Sequence, residues 1–241
     1  MTVVVCGVVF LATLVRSSFG FGDALVAMPL LSLAIGVRTA APLMAIISVT
    51  TATTILVRDW RRVHLSEVWR LVLSAWCGIP LGVWVLTQVD EHWLKRLLGV
   101  AVTGFAVYNL RHPELPELKS DRSSLLFGFL AGFFGGACNV QGPPLVIYGS
   151  LRRWSAQHFR ATTQAFALPS ATFLLVMHGM AGLWKPAVFR FYAFCVPAVI
   201  VAVLLGRVVN RKVANRDFVR WIYAMLVFLG LALVVESFWQ V

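Results

Sequence analysis

The stretch Gly135–Pro144 reads GGACNVQGPP and interrupts a long apolar segment, Ser123–Ser150, in which a membrane helix would otherwise continue. Glycine destabilises a helix interior, and Pro143 and Pro144 cannot donate backbone hydrogen bonds. In hydrocarbon, such backbone is stable only where protein or a water-filled cavity covers it. The chain breaks in a similar way at Arg16–Pro29, RSSFGFGDALVAMP. Two interrupted apolar segments at matching places in two halves indicate the binding site of a transporter.

The composition defines the class of protein. The 241 residues are 59% hydrophobic and 13% charged, with a mean hydropathy of +0.82. Soluble domains average about 45–50% apolar and about 25% charged residues. Because most of the sequence falls into apolar runs long enough, or nearly so, to cross about 30 Å of hydrocarbon, we predict a multi-pass protein of the lipid bilayer.

The net charge of +11 has a simple cause. Arginines and lysines cluster in short loops between apolar runs, as they do in the cytoplasmic loops of membrane proteins. No basic face interleaved with aromatic residues exists outside these loops, so nucleic acid is not expected as a partner. The N-terminal MTVVVCGVVF has no basic n-region, which predicts a retained segment and not a cleaved signal peptide.

Neither a metal site nor a disulfide framework is expected from the sequence. The four cysteines, Cys6, Cys77, Cys138 and Cys195, are dispersed through apolar segments without a CxxC motif. The histidines are scattered, with no HxxxH or HExxH pair. We therefore predict no metal and no cofactor, and interpret the cysteines as small buried hydrophobic residues.

Eight apolar segments define the predicted topology. Two are broken, Val3–Ile35 and Ser123–Ser150. The uninterrupted segments are Thr39–Val57, Glu67–Gln88, Trp93–Leu110, Phe159–Met180, Pro186–Gly206 and Phe218–Gln240.

The positive-inside bias decides how the broken segments run. If the second one crossed the membrane once, two later basic loops would be external. If both enter and leave on one side, the basic loops at Arg58–Arg62, Arg111–Arg122, Arg152–Arg160 and Arg207–Arg220 are all cytoplasmic. We therefore predict two re-entrant hairpins, with both termini external.

Each half then contains one hairpin and three spans, an odd number, so the halves have opposite orientations. The predicted fold is an all-α membrane protein with an inverted repeat: residues 1–112 form the first repeat, 113–122 a short cytoplasmic linker and 123–241 the second repeat. Sequence echoes such as Gly20 with Gly135 and Pro29 with Pro144 support the duplication.

At the two breaks the chain resembles a known family. SSFGFGDALVAMPLL followed by VRTAAPL is similar to the first signature of the sulfite exporter TauE/SafE family, and GFLAGFFGGACNVQGPPLVIYG followed by FRATTQAF to the second. The resemblance covers nearly the whole chain. It implies a bacterial inner-membrane protein with duplicated modules, linked to export of sulfite or transport of organosulfonates. Where the family often has a further glycine, this chain has Asp23.

The second break predicts an anion site made of backbone. A helix that begins inside the membrane directs unpaired N–H groups and about half a positive charge at what precedes it. Gly142 followed by Pro143 is typical of a helix start. Asn139 and Gln141 precede it and can donate side-chain hydrogen bonds. Close packing by small residues would explain the glycines, but not these two amides.

The first break supplies complementary groups. Ser17 and Ser18 offer hydroxyls, while Gly20 and Gly22 allow close approach to the backbone. Thr163 adds a further hydroxyl, although helical threonines often bond their own backbone. We predict that a small sulfur-containing anion binds between the two hairpin tips.

Arg16 and Asp23 are the strong charges that flank the first break, and ionisable groups at membrane depth are usually paired or functional. Two interpretations stay open. The two residues pair across the turn and shape the hairpin, or Asp23 takes up a proton and couples anion movement to the proton gradient. A sodium ion is an alternative coupling ion, and no feature of the sequence indicates an oligomeric state.

Other functions explain the sequence less well. Gly20–Asp23 matches the GxGD motif of intramembrane aspartyl proteases, but that chemistry needs two facing carboxylates and the other aspartates fall at predicted loops. A non-transporting scaffold or subunit would not explain two polar breaks. A GxxxxGK[ST] motif is absent, which argues against a primary pump. We predict no catalytic residue, and a secondary transporter that exports the anion by alternating access.

Overall fold

The computed structural model describes residues 1–19, 21–59, 65–111, 118, 120, 122–210 and 216–239. Those residues form α-helices and short connections, with no β-strand among them. The predicted all-α class is therefore confirmed. The helices are α1 Thr2–Phe19, α2 Asp23–Ile35, α3 Val37–Asp59, α4 Leu65–Gln88, α5 Glu91–Arg111, α6 Ser123–Cys138, α7 Gly142–Leu151, α8 Ala156–Met180, α9 Pro186–Asn210 and α10 Arg216–Trp239.

Each uninterrupted apolar segment is one helix, and each broken segment divides into two helices, α1 with α2 and α6 with α7. In the described part of the chain, two helical stretches are long and apolar enough by themselves to cross a membrane, Val68–Gln88 and Pro186–Gly206. Other predicted spans contain polar residues such as Thr51 and Lys95, which are buried inside the protein. These polar residues lower the hydropathy of the spans that contain them. They are tolerated at membrane depth because they face other helices.

The first break depends on one glycine. Gly22 has a φ of 99° and precedes α2, and a residue with a Cβ atom is strained in this conformation. The residues of α2 from Asp23 to Pro29 are all buried. A helix that is buried on all sides lies within a protein core, so other helices surround the segment that follows the break.

The second break ends one helix and starts another. Asn139 adopts the left-handed conformation, with φ 56°, and its N–H donates to the carbonyl of Gly135. Such a cap satisfies carbonyl groups at the end of α6. Gln141 caps α7, and Pro143 lies in its first turn. The predicted helix start is confirmed, although the cap is Gln141 and not Gly142, a difference of one residue.

Hydrogen bonds connect a residue before α6 with the end of α7. The N–H of Leu118, before α6, donates to the carbonyl of Leu151 at the end of α7, at 2.9 Å. The guanidinium of Arg152 donates to the carbonyl of Leu118 at 3.0 Å. The segment that precedes α6 therefore contacts the end of α7 at Leu118.

Helices α4 and α6 pack with their backbones in contact. A Cβ atom on any of three α6 glycines would collide with the backbone of α4. Each α6 glycine faces one α4 residue: Gly128 at Leu71, Gly132 at Ala75 and Gly136 at Ile79. Because both members of each pair advance together by four residues, the two helices run in the same direction.

Helices α1 and α9 also run in the same direction, but side chains join them. Cys6 contacts Cys195, and the Ser17 hydroxyl donates to the carbonyl of Val203 at 2.9 Å. Helices α5 and α10 run in opposite directions. Lys95 Nζ lies 2.9 Å from Glu236 Oε1, and Thr103, further along α5, lies against Gly230, earlier in α10.

Helix contacts recur between the halves. Three contacts in the structure each have a counterpart. The contact of α4 with α6 corresponds to that of α9 with α1, and the contact of α4 with α8 corresponds to that of α9 with α3. The contact of α5 with α7 corresponds to that of α10 with α2. Exchanging α1–α5 with α6–α10 converts each of these contacts into its counterpart. The pairs α3 with α8 and α5 with α10 convert into themselves.

Several predicted features lie outside the described residues. These are Gly20 and parts of the basic loops at Arg58–Arg62, Arg111–Arg122 and Arg207–Arg220. Ser18 lies in α1, but its side chain is not among those described.

Candidate functional site

The two breaks meet around one small cavity of about 50 Å³. This volume is large enough for water or for one small anion. Each break contributes one wall, and α3 and α8 complete the lining. The lining residues are Arg16, Phe21, Gly22, Asp23, Ala24, Leu25, Ser48, Asn139, Val140, Gln141, Gly142, Leu145, Thr163, Phe166, Ala167 and Ala171.

A buried ion pair lies at this cavity. Arg16 Nη1 is 2.7 Å from Asp23 Oδ2, and the two side chains are 6% and 10% exposed. Arg16 and Asp23 thus pair across the turn, one of the two arrangements that the sequence left open. The pair has no net charge when both groups are ionised. Breaking such a pair by removing one partner leaves an uncompensated buried charge.

Two residues that sequence reasoning missed support the ion pair. The Ser48 hydroxyl donates to Asp23 Oδ2 at 3.4 Å, and Arg16 Nη2 donates to Gln164 Oε1 at 3.4 Å. Both are buried polar residues in apolar helices, which is the signal that could have identified them. Gln164 also lies in FRATTQAF, part of the second signature.

Two buried donors at the cavity lack partners. Arg16 Nε and Asn139 Nδ2 make no hydrogen bond within the described part of the chain. A buried donor without an acceptor destabilises a fold by about 1–3 kcal/mol. Because both residues line the cavity, a ligand with oxygen acceptors would satisfy donors that the protein leaves open.

Backbone donors also converge on the cavity, because α2 and α7 both begin there. The first turn of a helix has N–H groups without intrahelical partners. Pro143 and Pro144 have no N–H, so the donors at the start of α7 reduce to Gln141 and Gly142. The start of α2 keeps its donors, but also holds the Asp23 carboxylate.

The other predicted residues have different surroundings. Ser17 donates to Val203 on α9, and neither Ser17 nor Pro143 is among the residues that line the cavity. The Ser17 hydroxyl, which the sequence predicted at the anion, is thus directed to another helix. Thr163 lines the cavity, but its hydroxyl donates to the carbonyl of Phe159 at 2.7 Å. It presents only oxygen lone pairs there.

A second, larger depression does not resemble an anion site. It lies open between α4 and α8, with a volume of about 430 Å³, and Trp76, Pro169 and Phe173 are among its apolar lining residues. Its one hydroxyl, on Thr172, donates to the carbonyl of Leu168 at 2.8 Å. In addition, no group of three or more His, Cys, Asp or Glu side chains that could hold a metal ion occurs among the described residues.

Comparison with known proteins identifies the family of this chain. The sequence model of the family described as sulfite exporter TauE/SafE matches residues 5–233. The chain belongs to this family. It is therefore a membrane transporter of the TauE/SafE type, and not an enzyme.

Curated relatives agree with this assignment. One is a "probable sulfite/organosulfonate exporter TauE" of Cupriavidus necator, 25% identical over 90% of this chain and 88% of the relative. Another is a "probable inner membrane transporter protein TsaS" of Comamonas testosteroni, 23% identical over 76% of this chain and 77% of the relative. A "probable membrane transporter protein" of Haemophilus influenzae is 28% identical over 52% and 53% of the two chains. No solved structure matches the chain.

Proposed function

We propose that this protein is a secondary transporter of the bacterial inner membrane that exports sulfite, bound between the tips of the two broken segments. The observation that carries the proposal is the cavity at which Arg16 Nε and Asn139 Nδ2 lack acceptors. Helix starts favour an anion at this position. The name of the Cupriavidus relative, a probable sulfite/organosulfonate exporter, supports the substrate class.

The size of the cavity favours sulfite over an organosulfonate. A cavity of about 50 Å³ suits a small, four-atom anion such as sulfite better than the same head group with a carbon chain. The apolar wall formed by Phe21, Leu145 and Phe166 would limit further expansion. The oxygen atoms of sulfite would accept hydrogen bonds from the unpaired donors on Arg16 and Asn139.

Export also agrees with the electrical gradient. The membrane potential contributes about 2.3 kcal/mol per elementary charge for each 100 mV. An inside-negative potential therefore drives an anion outward without any coupling ion. The Arg16–Asp23 pair keeps the empty site neutral, so the bound anion carries the charge that the potential acts upon.

The proposed topology is an inverted repeat, with residues 1–112 and 123–241 as the repeats and 113–122 as the linker. Three observations support it. Leu118, which precedes α6, is hydrogen-bonded to Leu151 at the end of α7. Helix α1 runs parallel to α9 as α6 does to α4, and the helix contacts convert into one another when the halves are exchanged. Alternating access then follows from rocking of the two halves around the cavity.

Single-cysteine labelling in a cysteine-free background tests this topology. Arg152→Cys and Arg122→Cys flank the second hairpin, and a membrane-impermeant reagent should label them from the same, cytoplasmic side. Lys185→Cys, between α8 and α9, should be labelled from the opposite side. Labelling of Arg122→Cys and Arg152→Cys from opposite sides would overturn the re-entrant hairpin.

A flux assay in proteoliposomes tests the substrate. We expect transport of sulfite, and little transport of sulfate, thiosulfate or sulfoacetate. Asn139→Gly should reduce sulfite flux. The matched control is Asn109→Ala, because the Asn109 amide donates to its own helix at Phe105, 2.8 Å away, and does not line the cavity. Absence of flux for every anion, with correctly folded protein, would refute the proposal.

A further inference from the structure

Two cysteines that are far apart in the sequence lie in contact. Cys6 Sγ on α1 and Cys195 Sγ on α9 are 3.5 Å apart, across 189 positions of sequence. The sequence itself predicts only isolated buried thiols. The parallel packing of α1 and α9 is what brings the two sulfur atoms together.

The two thiols differ in how exposed they are. Cys195 is fully buried, whereas Cys6 is partly exposed. A small apolar reagent can therefore reach Cys6 first, with Cys195 behind it as a second thiol. The remaining cysteines differ from this pair, since Cys77 is exposed on α4 and Cys138 Sγ contacts the carbonyl of Leu94 at 4.0 Å.

We propose that Cys6 and Cys195 form a redox-modifiable dithiol, which a small organic disulfide converts into an intramolecular disulfide. The Cys6 thiol loses its proton, and its sulfur attacks one sulfur of the reagent RSSR to form a mixed disulfide. The displaced RS⁻ takes up that proton and leaves as RSH. Cys195 then attacks Cys6 Sγ and releases the second RSH. Two thiols and one RSSR thus give one protein disulfide and two RSH. The sulfur atoms, 3.5 Å apart, need to approach to about 2.05 Å.

This bond would link the two halves of the molecule. Cys6 lies on the helix that carries Arg16 to the cavity, and Cys195 lies on α9 of the other half. At present α1 and α9 are joined by contacts such as the hydrogen bond from Ser17 to Val203, which rearrangement can break. A covalent bond prevents rocking of the halves and stops transport. This consequence rests on the proposed function.

The first experiment detects the bond without measuring transport. Protein with Cys77→Ser and Cys138→Ala, and with a protease site inserted between residues 113 and 122, is treated with 2,2′-dithiodipyridine, cleaved and run on a denaturing non-reducing gel. The two fragments should stay linked and should separate after dithiothreitol. Cys6→Ser and Cys195→Ser are the controls and should give separate fragments. Separation of the fragments of the oxidised protein would overturn the dithiol.

The second experiment measures sulfite flux on the same samples. Oxidation should lower flux at least tenfold, dithiothreitol should restore it, and Cys195→Ser should be insensitive to oxidation. Linked fragments with unchanged flux would overturn the locking of the halves. Linked fragments in a protein that transports no sulfite even when reduced would support the dithiol and refute the proposed function, so the two failures are distinguishable.

Discussion

The two breaks are similar in backbone, since each is followed by a helix that begins at the cavity, but they differ in the chemistry of their side chains. The first contains a pair of opposite charges, Arg16 and Asp23 at 2.7 Å, leaves Nε of Arg16 without an acceptor among the described residues, and depends on Gly22 for its turn. The second contains no charge, ends in left-handed Asn139 and leaves the amide Nδ2 of that residue without an acceptor. The difference indicates a division of roles, in which the first break sets the shape and charge of the cavity and the second presents the open amide donor.

The largest expected effect is on folding, from Arg16→Gln. This change leaves the buried Asp23 carboxylate with only the weak contact from Ser48 at 3.4 Å. Loss of one partner of a buried pair destabilises a protein by about 3–5 kcal/mol. The yield of monodisperse protein and its unfolding temperature in detergent should both fall sharply. The double variant with Asp23→Asn should recover much of the loss.

Asp23→Asn alone separates the two roles considered for this carboxylate. If Asp23 is a partner of Arg16, the change lowers stability, because Arg16 keeps only Gln164 at 3.4 Å. If Asp23 is a proton switch, yield is preserved and the dependence of flux on pH disappears. Normal yield together with an unchanged pH profile would contradict both roles.

The next largest effect is on the stability of the turn at the first break. Gly22 and Gly142 form a matched pair that tests it. Gly22→Ala places a Cβ at φ 99°, which destabilises the fold by about 1–2 kcal/mol. At Gly142 a Cβ atom would meet Phe21 and Leu25 at ordinary distances of 3.8 and 4.0 Å. Gly142→Ala should therefore be tolerated in thermal unfolding. Equal losses for the two variants would mean that the first break does not depend on the left-handed glycine.

A smaller effect on stability, with a clear effect on binding, is expected for Asn139→Gly. Glycine keeps the left-handed conformation and removes the unpartnered amide, so unfolding should be unchanged or shifted slightly upward. Sulfite affinity should fall by about 1–3 kcal/mol, because the anion loses one donor. Isothermal titration and thermal unfolding of the same sample give both values. Unchanged affinity would remove Asn139 from the site.

The smallest effect is expected for Thr163→Val. The hydroxyl donates to the carbonyl of Phe159 one turn earlier, so it has no proton left for an anion. Sulfite flux should stay close to that of the unchanged protein. A loss as large as that of Asn139→Gly would mean that this hydroxyl rotates to bind the substrate.

The sequence predicted much of the fold, and several of the residues that it singled out line the cavity. Apolar length located the helices, and the Gly-Pro pattern located the start of α7 within one residue. The two alternatives for Arg16 included the ion pair that the structure contains. Ser17 was expected at the anion, but nothing local reveals that Val203 accepts its hydrogen bond.

The sequence by itself determined where the helices run and where they break, because burial of apolar length and the backbone limits of glycine and proline act locally. The tertiary structure decided which polar groups satisfy one another. Arg16 meets Gln164 across 148 positions, and Cys6 meets Cys195 across 189. Hydrogen bonds and thiol contacts act over a few ångströms of space, so only the packing of the helices fixes such partners.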